Sequence, residues 1–132
     1  MNDPRIKQLA ETLINYSVNL QPGEKILIEN TGSDTLLAKE LIKEAYKAGG
    51  IPFLTLKDNE MQRVLLTQCS ENQIKSMASY ELARMQDMQA YIGIRSGGNV
   101  SELSAVPPEK MKIYQELFLK KVHSEQRVKH TK

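Results

Sequence analysis

Apolar and polar residues alternate along the chain with two different periods, and each period predicts one kind of element. From Ile6 to Ser17, apolar and small side chains recur at three- and four-residue steps, which is typical of one face of a helix. Asp3 and Pro4 precede this face and predict its N-cap and first helical residue. After a Pro-Gly break, the run KILIE at 25–29 is apolar and too short for a helix, so it predicts a strand.

A second helix and a second strand follow. Apolar residues line one side of the segment 37–48, and Gly49–Gly50 end it because glycine adopts the left-handed conformation without a steric penalty. Three residues are alternatives for the cap at its start: Thr31, Ser33 and Asp34. The run IPFLTL at 51–56 predicts the second strand. Pro52 lies near its beginning, where a missing N–H is tolerated.

The remaining elements complete an alternating order. A short helix is predicted over 59–69, and Ser70 with Gln73 forms a capping box for a longer helix. A third strand is predicted at 90–95, and Pro107–Pro108 begins a last helix. The order α-β-α-β-α-α-β-α predicts an α/β fold with three layers. Because strands separated by helices pair in parallel, we expect a mostly parallel sheet of few strands with helices on both faces.

Composition places the chain among ordinary globular proteins. With 132 residues, 40% apolar and 26% charged, residues 1–132 are expected to form a single domain. No apolar run approaches the ~20 residues of a membrane span, so no membrane partner is expected. The start MNDPRIKQ lacks a basic-then-apolar leader, and Cys69 has no partner for a disulfide. Both features favour a cytoplasmic location.

Charge is distributed unevenly but does not indicate a nucleic-acid partner. The net charge is +2, and the basic excess lies in the segment 120–132, KKVHSEQRVKHTK. Aromatic residues make up 5% of the chain and none interleaves with that segment to offer stacking surfaces. We therefore expect no nucleic acid among the partners.

The turn after the first predicted strand, ENTGSDT, resembles a phosphate-binding turn only superficially. It contains one glycine, whereas the dinucleotide fingerprint requires three, and no Walker sequence is present. Asp34 would also repel a phosphate at the start of the helix. The turn therefore predicts an ordinary capped helix.

The loop after the third predicted strand is the better candidate for a ligand. In open α/β sheets, ligands bind beyond the carboxyl ends of the strands, where this loop is expected. Its candidate anion-binding residues are Arg95, Gly97, Gly98 and Asn99. Two adjacent glycines suit a plain turn equally well, so both interpretations remain open.

Residues for catalysis or metal binding are not recognisable in this sequence. His123 and His130 lie in the charged C-terminal segment, and no H-E-x-x-H, C-x-x-C or G-x-S-x-G sequence is present. Seven residues apart on a helix, these histidines would share a face that we expect to be solvated. We therefore predict no catalytic residue, no metal ligand and no cofactor in this chain.

Several phrases, taken in order, resemble the opening of the thermophilic-type metallo-aminopeptidases, the AmpS/PepS group. They are Asn15-Tyr16-Ser17, PGEKILI at 22–28, EAYKAGGIP at 44–52, and AYIGIRSGGNVSELSAVPPEKMKIYQE at 90–116. Each phrase is weak alone, but their order and spacing cover about residues 3–130. The resemblance implies a two-domain enzyme of roughly three times this length, which removes N-terminal residues from peptides with two divalent metal ions (Zn, Co or Mg).

In that group the metal ligands and the acid/base residue belong to a C-terminal catalytic domain, and none has a matching position here. The resemblance therefore implies that residues 1–132 are the N-terminal, non-catalytic part of the enzyme, without its catalytic domain. The implied partners are that domain, a peptide substrate and a second copy, since the group tends to dimers. In the alternative reading from the residues, the chain is a stand-alone small-anion-binding module that uses the Arg95–Asn99 loop.

Overall fold

A computed structural model of the chain describes residues 3–95 and 101–132. Within these ranges three strands form one sheet in the order β2-β1-β3, and all pairs are parallel. Their bounds are β1 Lys25–Thr31, β2 Ile51–Lys57 and β3 Ala90–Arg95. The central strand is β1, with Leu27 opposite Phe53 on one side and Tyr91 on the other. The predicted α/β fold is confirmed.

Helices precede, connect and follow the strands. They are α1 Pro4–Thr12, continued by π-helical turns at Leu13–Ser17; α2 Leu36–Lys47; α3 Asn59–Thr67; α4 Glu71–Gln86; α5 Ser101–Ser104; and α6 Pro108–Tyr114. The chain continues from α6 through π-helical turns at Gln115–Arg127 into α7 Val128–His130, and the whole of 108–130 is called the last helix below.

At two helix starts, the capping hydrogen bonds that the sequence predicts are present. The carboxylate of Asp3 accepts the N–H of Arg5 at 2.9 Å, with Pro4 as the first helical residue. At α4, the hydroxyl of Ser70 accepts the N–H of Gln73 at 3.1 Å, and the Gln73 side chain accepts the N–H of Ser70 at 3.2 Å. These reciprocal bonds satisfy N–H groups that have no partner inside the helix.

The structure differs from the sequence predictions around the first turn and after β3. Helix α2 begins at Leu36, and Asp34 accepts its N–H at 3.1 Å, so Asp34 makes this capping bond. Thr31 instead ends β1, which extends two residues beyond the predicted 25–29. The short helix α5 lies close after β3, at the end of a segment that reads as loop because its glycines and Asn99 favour turns.

Each face of the sheet carries its own hydrophobic core. Because side chains alternate along a strand, Ile26 and Ile28 point to the face covered by α1 and α2, whereas Leu27 points to the opposite face. That second face is covered by α4 and the last helix, through Ile74, Met85, Phe118 and Val122. All three apolar residues of β1 are fully buried, as expected for a central parallel strand.

Hydrogen bonds hold the end of the basic C-terminal segment against the sheet. Lys132 donates its N–H to the carbonyl of Gln89 at 3.1 Å and accepts the N–H of Tyr91 at 2.9 Å, a parallel-strand pattern at the edge of β3. Its ammonium group donates to the carboxylate of Glu24, and this contact is the main cause that lowers the pKa of Glu24 below its usual value. Among the described helices, none is long and apolar enough to span a membrane.

Candidate functional site at the carboxyl edge of the sheet

The carboxyl ends of β1 and β3 lie side by side, and the chain leaves these two strands towards opposite faces of the sheet. From β1 the chain passes to α2 on one face, whereas beyond β3 it reaches the last helix on the opposite face. In open α/β sheets the crevice between two such neighbouring strands is the usual ligand position. The two terminal residues that face each other here are Thr31 and Arg95.

Of the four predicted anion-binding residues, the structure places only Arg95. It is the last residue of β3 and its side chain is exposed. Gly97, Gly98 and Asn99 lie outside the described residues. The predicted anion loop therefore remains a prediction, with Arg95 located at the expected edge of the sheet.

A charge cluster with a buried centre, formed by Glu29 and Arg127, lies just inside this edge, on the face covered by α4 and the last helix. Its members are Glu29, Lys57, Glu81, Arg84 and Arg127, from β1, β2, α4 and the last helix. Glu29 binds both Arg127, at 3.0 Å, and Lys57, at 3.1 Å, through different carboxylate oxygens. The guanidinium of Arg127 also lies 3.4 Å from Glu81. Three cations thus surround two carboxylates.

Glu81 links the cluster to the sheet through its neighbour Arg84. The guanidinium of Arg84 contacts both carboxylate oxygens of Glu81 at 2.7 and 2.8 Å and donates to the hydroxyl of Thr55 at 2.8 Å. Such two-oxygen contacts fix the orientation of both side chains. Since Thr55 faces Glu29 in the sheet register, the cluster spans β2, β1 and α4.

Aromatic rings cover the cluster. The Arg127 guanidinium lies 4.4 Å from the ring centre of Tyr91, close enough for a cation–π contact. Burial, followed by the negative charge of Glu29, raises the pKa values of Tyr91 and Tyr114 to about 12. Gly93 leaves room for Tyr91, because a Cβ at position 93 would lie 2.8 Å from the tyrosine hydroxyl and the side chain would have to shift.

His123 does not lie on a solvated face as the sequence predicts. Its ring packs edge-on against Tyr91 with 6.3 Å between ring centres. Partial burial, and then the positive charges of Arg127 and Arg95, lower the pKa of His123. Tertiary packing against β3, which helical spacing alone does not reveal, explains the difference. His130 is exposed.

The cluster does not line a large pocket with several of its members. A surface hollow of about 480 Å³ lies between α1 and α2 and contains no cluster member. A second hollow of about 410 Å³ lies between the end of β2 and α3, and of the cluster only Lys57 lines it. Since buried ion pairs cost desolvation and these carboxylates are already paired, the arrangement is suited to hold the last helix on the sheet.

The two metal ions implied by the resemblance do not fit the side chains in the described ranges. Across residues 3–95 and 101–132, no three His, Cys, Asp or Glu side chains converge in a way that could hold a metal ion. Glu29 and Glu81 are occupied by Arg127, and the thiol of Cys69 is buried. No step involving a metal ion is therefore derived for this chain.

Sequence reasoning did not identify the charge cluster. In the sequence, Glu29 only ends an apolar strand and Arg127 belongs to a basic segment. The one available signal was an acid inside a run that reads as a buried strand, since a buried carboxylate requires a partner. The partner, 98 residues away, could not be identified from the spacing.

Comparison with known proteins identifies the family. The sequence profile described as Thermophilic metalloprotease (M29) matches residues 2–131. Aminopeptidase PepS of Streptococcus thermophilus is 24% identical over 111 residues, which cover 80% of this chain and 27% of PepS. The structure of AmpT from Thermus thermophilus superposes with a TM-score of 0.69 at 20% identity, over 90% of this chain and 31% of AmpT.

The AmpT match supports the α/β fold, and the chain spans less than a third of the length of both relatives. The family match extends over nearly every residue and confirms the resemblance read from the sequence. The chain therefore belongs to the thermophilic metalloprotease family.

Proposed function

We propose that this chain is the N-terminal, non-catalytic domain of a two-metal aminopeptidase that removes N-terminal residues from peptides. The observation that carries the proposal is the family match over residues 2–131, in a chain that spans under a third of PepS and AmpT. The curated relative is itself named an aminopeptidase.

The geometry of the described residues supports a structural role. The charge cluster pairs its carboxylates internally, and its guanidinium groups hold elements of the domain together. A rigid α/β unit of this kind can form one wall of a cavity without contributing reacting groups. We propose that it walls the active-site cavity formed with the catalytic domain, and so restricts access to short peptides.

The proposal can be tested in PepS. The segment that aligns with this chain is deleted in one variant and replaced by this chain in another. We expect the deletion variant to lose rate and its preference for peptide length, and the replacement to restore both at least in part. Thermal melting of both variants distinguishes a functional loss from unfolding. A deletion variant with normal rate and normal length preference would contradict the proposal.

A second candidate function is the binding of a small anion beyond β3. It is supported by the exposed Arg95 at the chain's change of direction, where α/β sheets bind ligands. It predicts that phosphate raises the melting temperature, because a ligand that binds the folded state stabilises it. The Arg95→Ala variant should lose that rise, and an equal rise in both proteins would exclude this site.

We also propose a reducing, cytoplasmic location. The support is Cys69, a single buried thiol in a chain without another cysteine.

A further inference from the structure

The outer edge of strand β2 carries unused main-chain groups. Lys57 accepts the N–H of Gly32, so its main chain faces the β1 side. Main-chain groups alternate along a strand, and those of Leu54 and Leu56 therefore point outwards, together with the carbonyl of Pro52. In the described part of the chain, nothing hydrogen-bonds to these outward groups. One more extended strand can therefore pair with β2.

Exposed apolar side chains flank the same edge. Seven of them, on β2 and α3, are 40–65% exposed: Ile51, Phe53, Leu54, Leu56, Met61, Val64 and Leu65. Edge strands are usually protected from pairing by charged side chains, yet Lys57 is the only charged residue of β2. It stands at the end of the strand, and its ammonium group is paired with Glu29 at 3.1 Å. The edge therefore favours a strand with apolar side chains.

A hollow of about 410 Å³ lies at the carboxyl end of this edge, and it contains an unsatisfied acceptor. Its lining includes apolar Leu56, Met61 and Leu65 beside polar Asp58 and Gln62. The side-chain oxygen of Gln62 is buried, and no described residue donates a hydrogen bond to it. Such an unpaired acceptor is costly. Because the terminal amide turns about a soft torsion, its oxygen can be presented to a donor in the hollow.

The charge beside the hollow is negative. Asp58 is exposed, and its carboxylate accepts the N–H of Met61 at 3.1 Å as the cap of α3. Within the described ranges no cation forms an ion pair with this carboxylate. Glu60, in the first turn of α3, is exposed as well. Since a helix start carries only about half a positive charge, these two carboxylates outweigh it, and the hollow favours a cationic donor.

We propose that the β2 edge binds the N-terminal segment of an extended, mostly apolar peptide, antiparallel to β2, whose α-ammonium group donates to Asp58 and Gln62 in the hollow. The second residue of the peptide then exchanges both main-chain hydrogen bonds with Leu56, and the fourth does so with Leu54. The sixth residue donates to the carbonyl of Pro52. The inference deepens the proposed function and rests on it for the peptide as ligand.

A peptide with a free N-terminus is the occupant that these observations favour. The outward groups of Leu54 and Leu56 are satisfied together by an extended main chain. The acceptors of Asp58 and Gln62 are satisfied together by a cation with several N–H groups, which the first residue of a peptide supplies. A peptide in the opposite direction would place its carboxylate beside Asp58, and an edge strand inside a folded partner has no free ammonium group there.

Fluorescence anisotropy tests the site with the whole chain. The probe is a hexapeptide that begins with leucine, continues with alternating valine and threonine, and carries a fluorophore at its C-terminus. We expect the free peptide to bind about three- to fivefold more tightly than its N-acetylated form. Asp58→Asn should remove most of this preference and retain the cap of α3, since asparagine is also a good N-cap.

The matched control is Glu71→Gln, which removes an exposed carboxylate from the first turn of α4 and should retain the preference. No binding of the probe, equal binding of the free and acetylated peptides, or an equal effect of the two variants would overturn the proposal. Because these measurements do not depend on catalysis, their failure is distinct from a failure of the proposed function, which the deletion in PepS tests.

N-methylation of the probe tests the strand pairing. A methyl group on the nitrogen of the fourth residue removes the hydrogen bond to the Leu54 carbonyl and should weaken binding about tenfold. A methyl group on the nitrogen of the third residue, whose N–H points away from β2, should have little effect. An equal effect of the two methyl groups, or a second copy of the chain that covers the edge and excludes the probe, would overturn this pairing.

Discussion

The guanidinium of Arg127 lies 3.0 Å from the carboxylate of Glu29, and the pair joins the last helix to the central strand across 98 residues of sequence. Both side chains are less than 10% exposed. Removing two charges from water is costly, and the cost is offset here by Lys57, Glu81 and the ring of Tyr91. The pair therefore fixes where the last helix packs on the sheet.

Arg127→Met should destabilise the chain strongly. It leaves Glu29 buried with Lys57 as its one remaining cation, and breaking a buried ion pair typically costs about 3–5 kcal/mol. The free energy of unfolding in urea measures the loss. The matched control is Arg5→Met, whose ion pair with Asp3 is on the surface and should change stability by less than about 1 kcal/mol. Similar losses of unfolding free energy in the two variants would show that the buried pair contributes no more to stability than the surface pair.

Alkaline titration should reveal two partly buried tyrosines, Tyr91 and Tyr114. Burial raises the pKa values of Tyr91 and Tyr114 to about 12, above the ordinary value of about 10. The unfolded chain therefore loses these protons first, and stability falls as pH rises from about 10 to 12. In absorbance at the tyrosinate band, Tyr91→Phe and Tyr114→Phe should each remove half of the step near pH 12. A wild-type titration complete well below that pH would contradict the burial of these hydroxyls.

Acid should weaken the packing around His123. Its pKa is lowered in the folded state, so the unfolded chain binds a proton first as pH falls through about 6.5. This contribution to stability is present at higher pH and is lost on acidification. The groups facing the ring are Tyr91, Arg127, Arg95 and Glu29. Unfolding measured at several pH values should show a shallower acid loss in His123→Gln, and identical slopes would contradict the assignment.

The left-handed residue after α2 should tolerate few substitutions. Gly49 has φ of +83°, and an added Cβ would lie 3.2 Å from that of Pro22. Gly49→Ala should therefore cost at least about 1–2 kcal/mol, the penalty of the left-handed conformation for a residue with a Cβ. Gly49→Asn should cost less, because asparagine enters this conformation more readily. The melting temperatures of the two variants test this expectation. An equal loss of stability in both would mean that the contact with Pro22, and not the left-handed conformation, determines the cost.

Local signals predicted the elements, because each depends on residues a few positions apart. Asp3 and Pro4 at the first helix, and Ser70 with Gln73 at α4, cap the helices as their types predict. Turn signals were less decisive: Thr31, Ser33 and Asp34 all suit a helix start, and only the length of β1 excludes Thr31.

Long-range contacts could not be predicted, because their partners are distant in sequence. The burial of Glu29 and Arg127 depends on how the last helix crosses the sheet, and the packing of His123 on Tyr91 depends on the same crossing. The third strand was predicted at 90–95, and β3 ends at Arg95 as predicted. The binding of an anion by Arg95 stays a prediction.

Release of p-nitroaniline from leucine p-nitroanilide by the purified chain tests the central claim most directly. Zinc, cobalt or magnesium is supplied, with a chelator control and PepS as the positive control. We predict no turnover by this chain under conditions in which PepS is active, because we propose that it is the non-catalytic domain and does not itself hold the two metal ions. Chelator-sensitive turnover that follows the chain through purification would contradict the account and place the chemistry within these 132 residues.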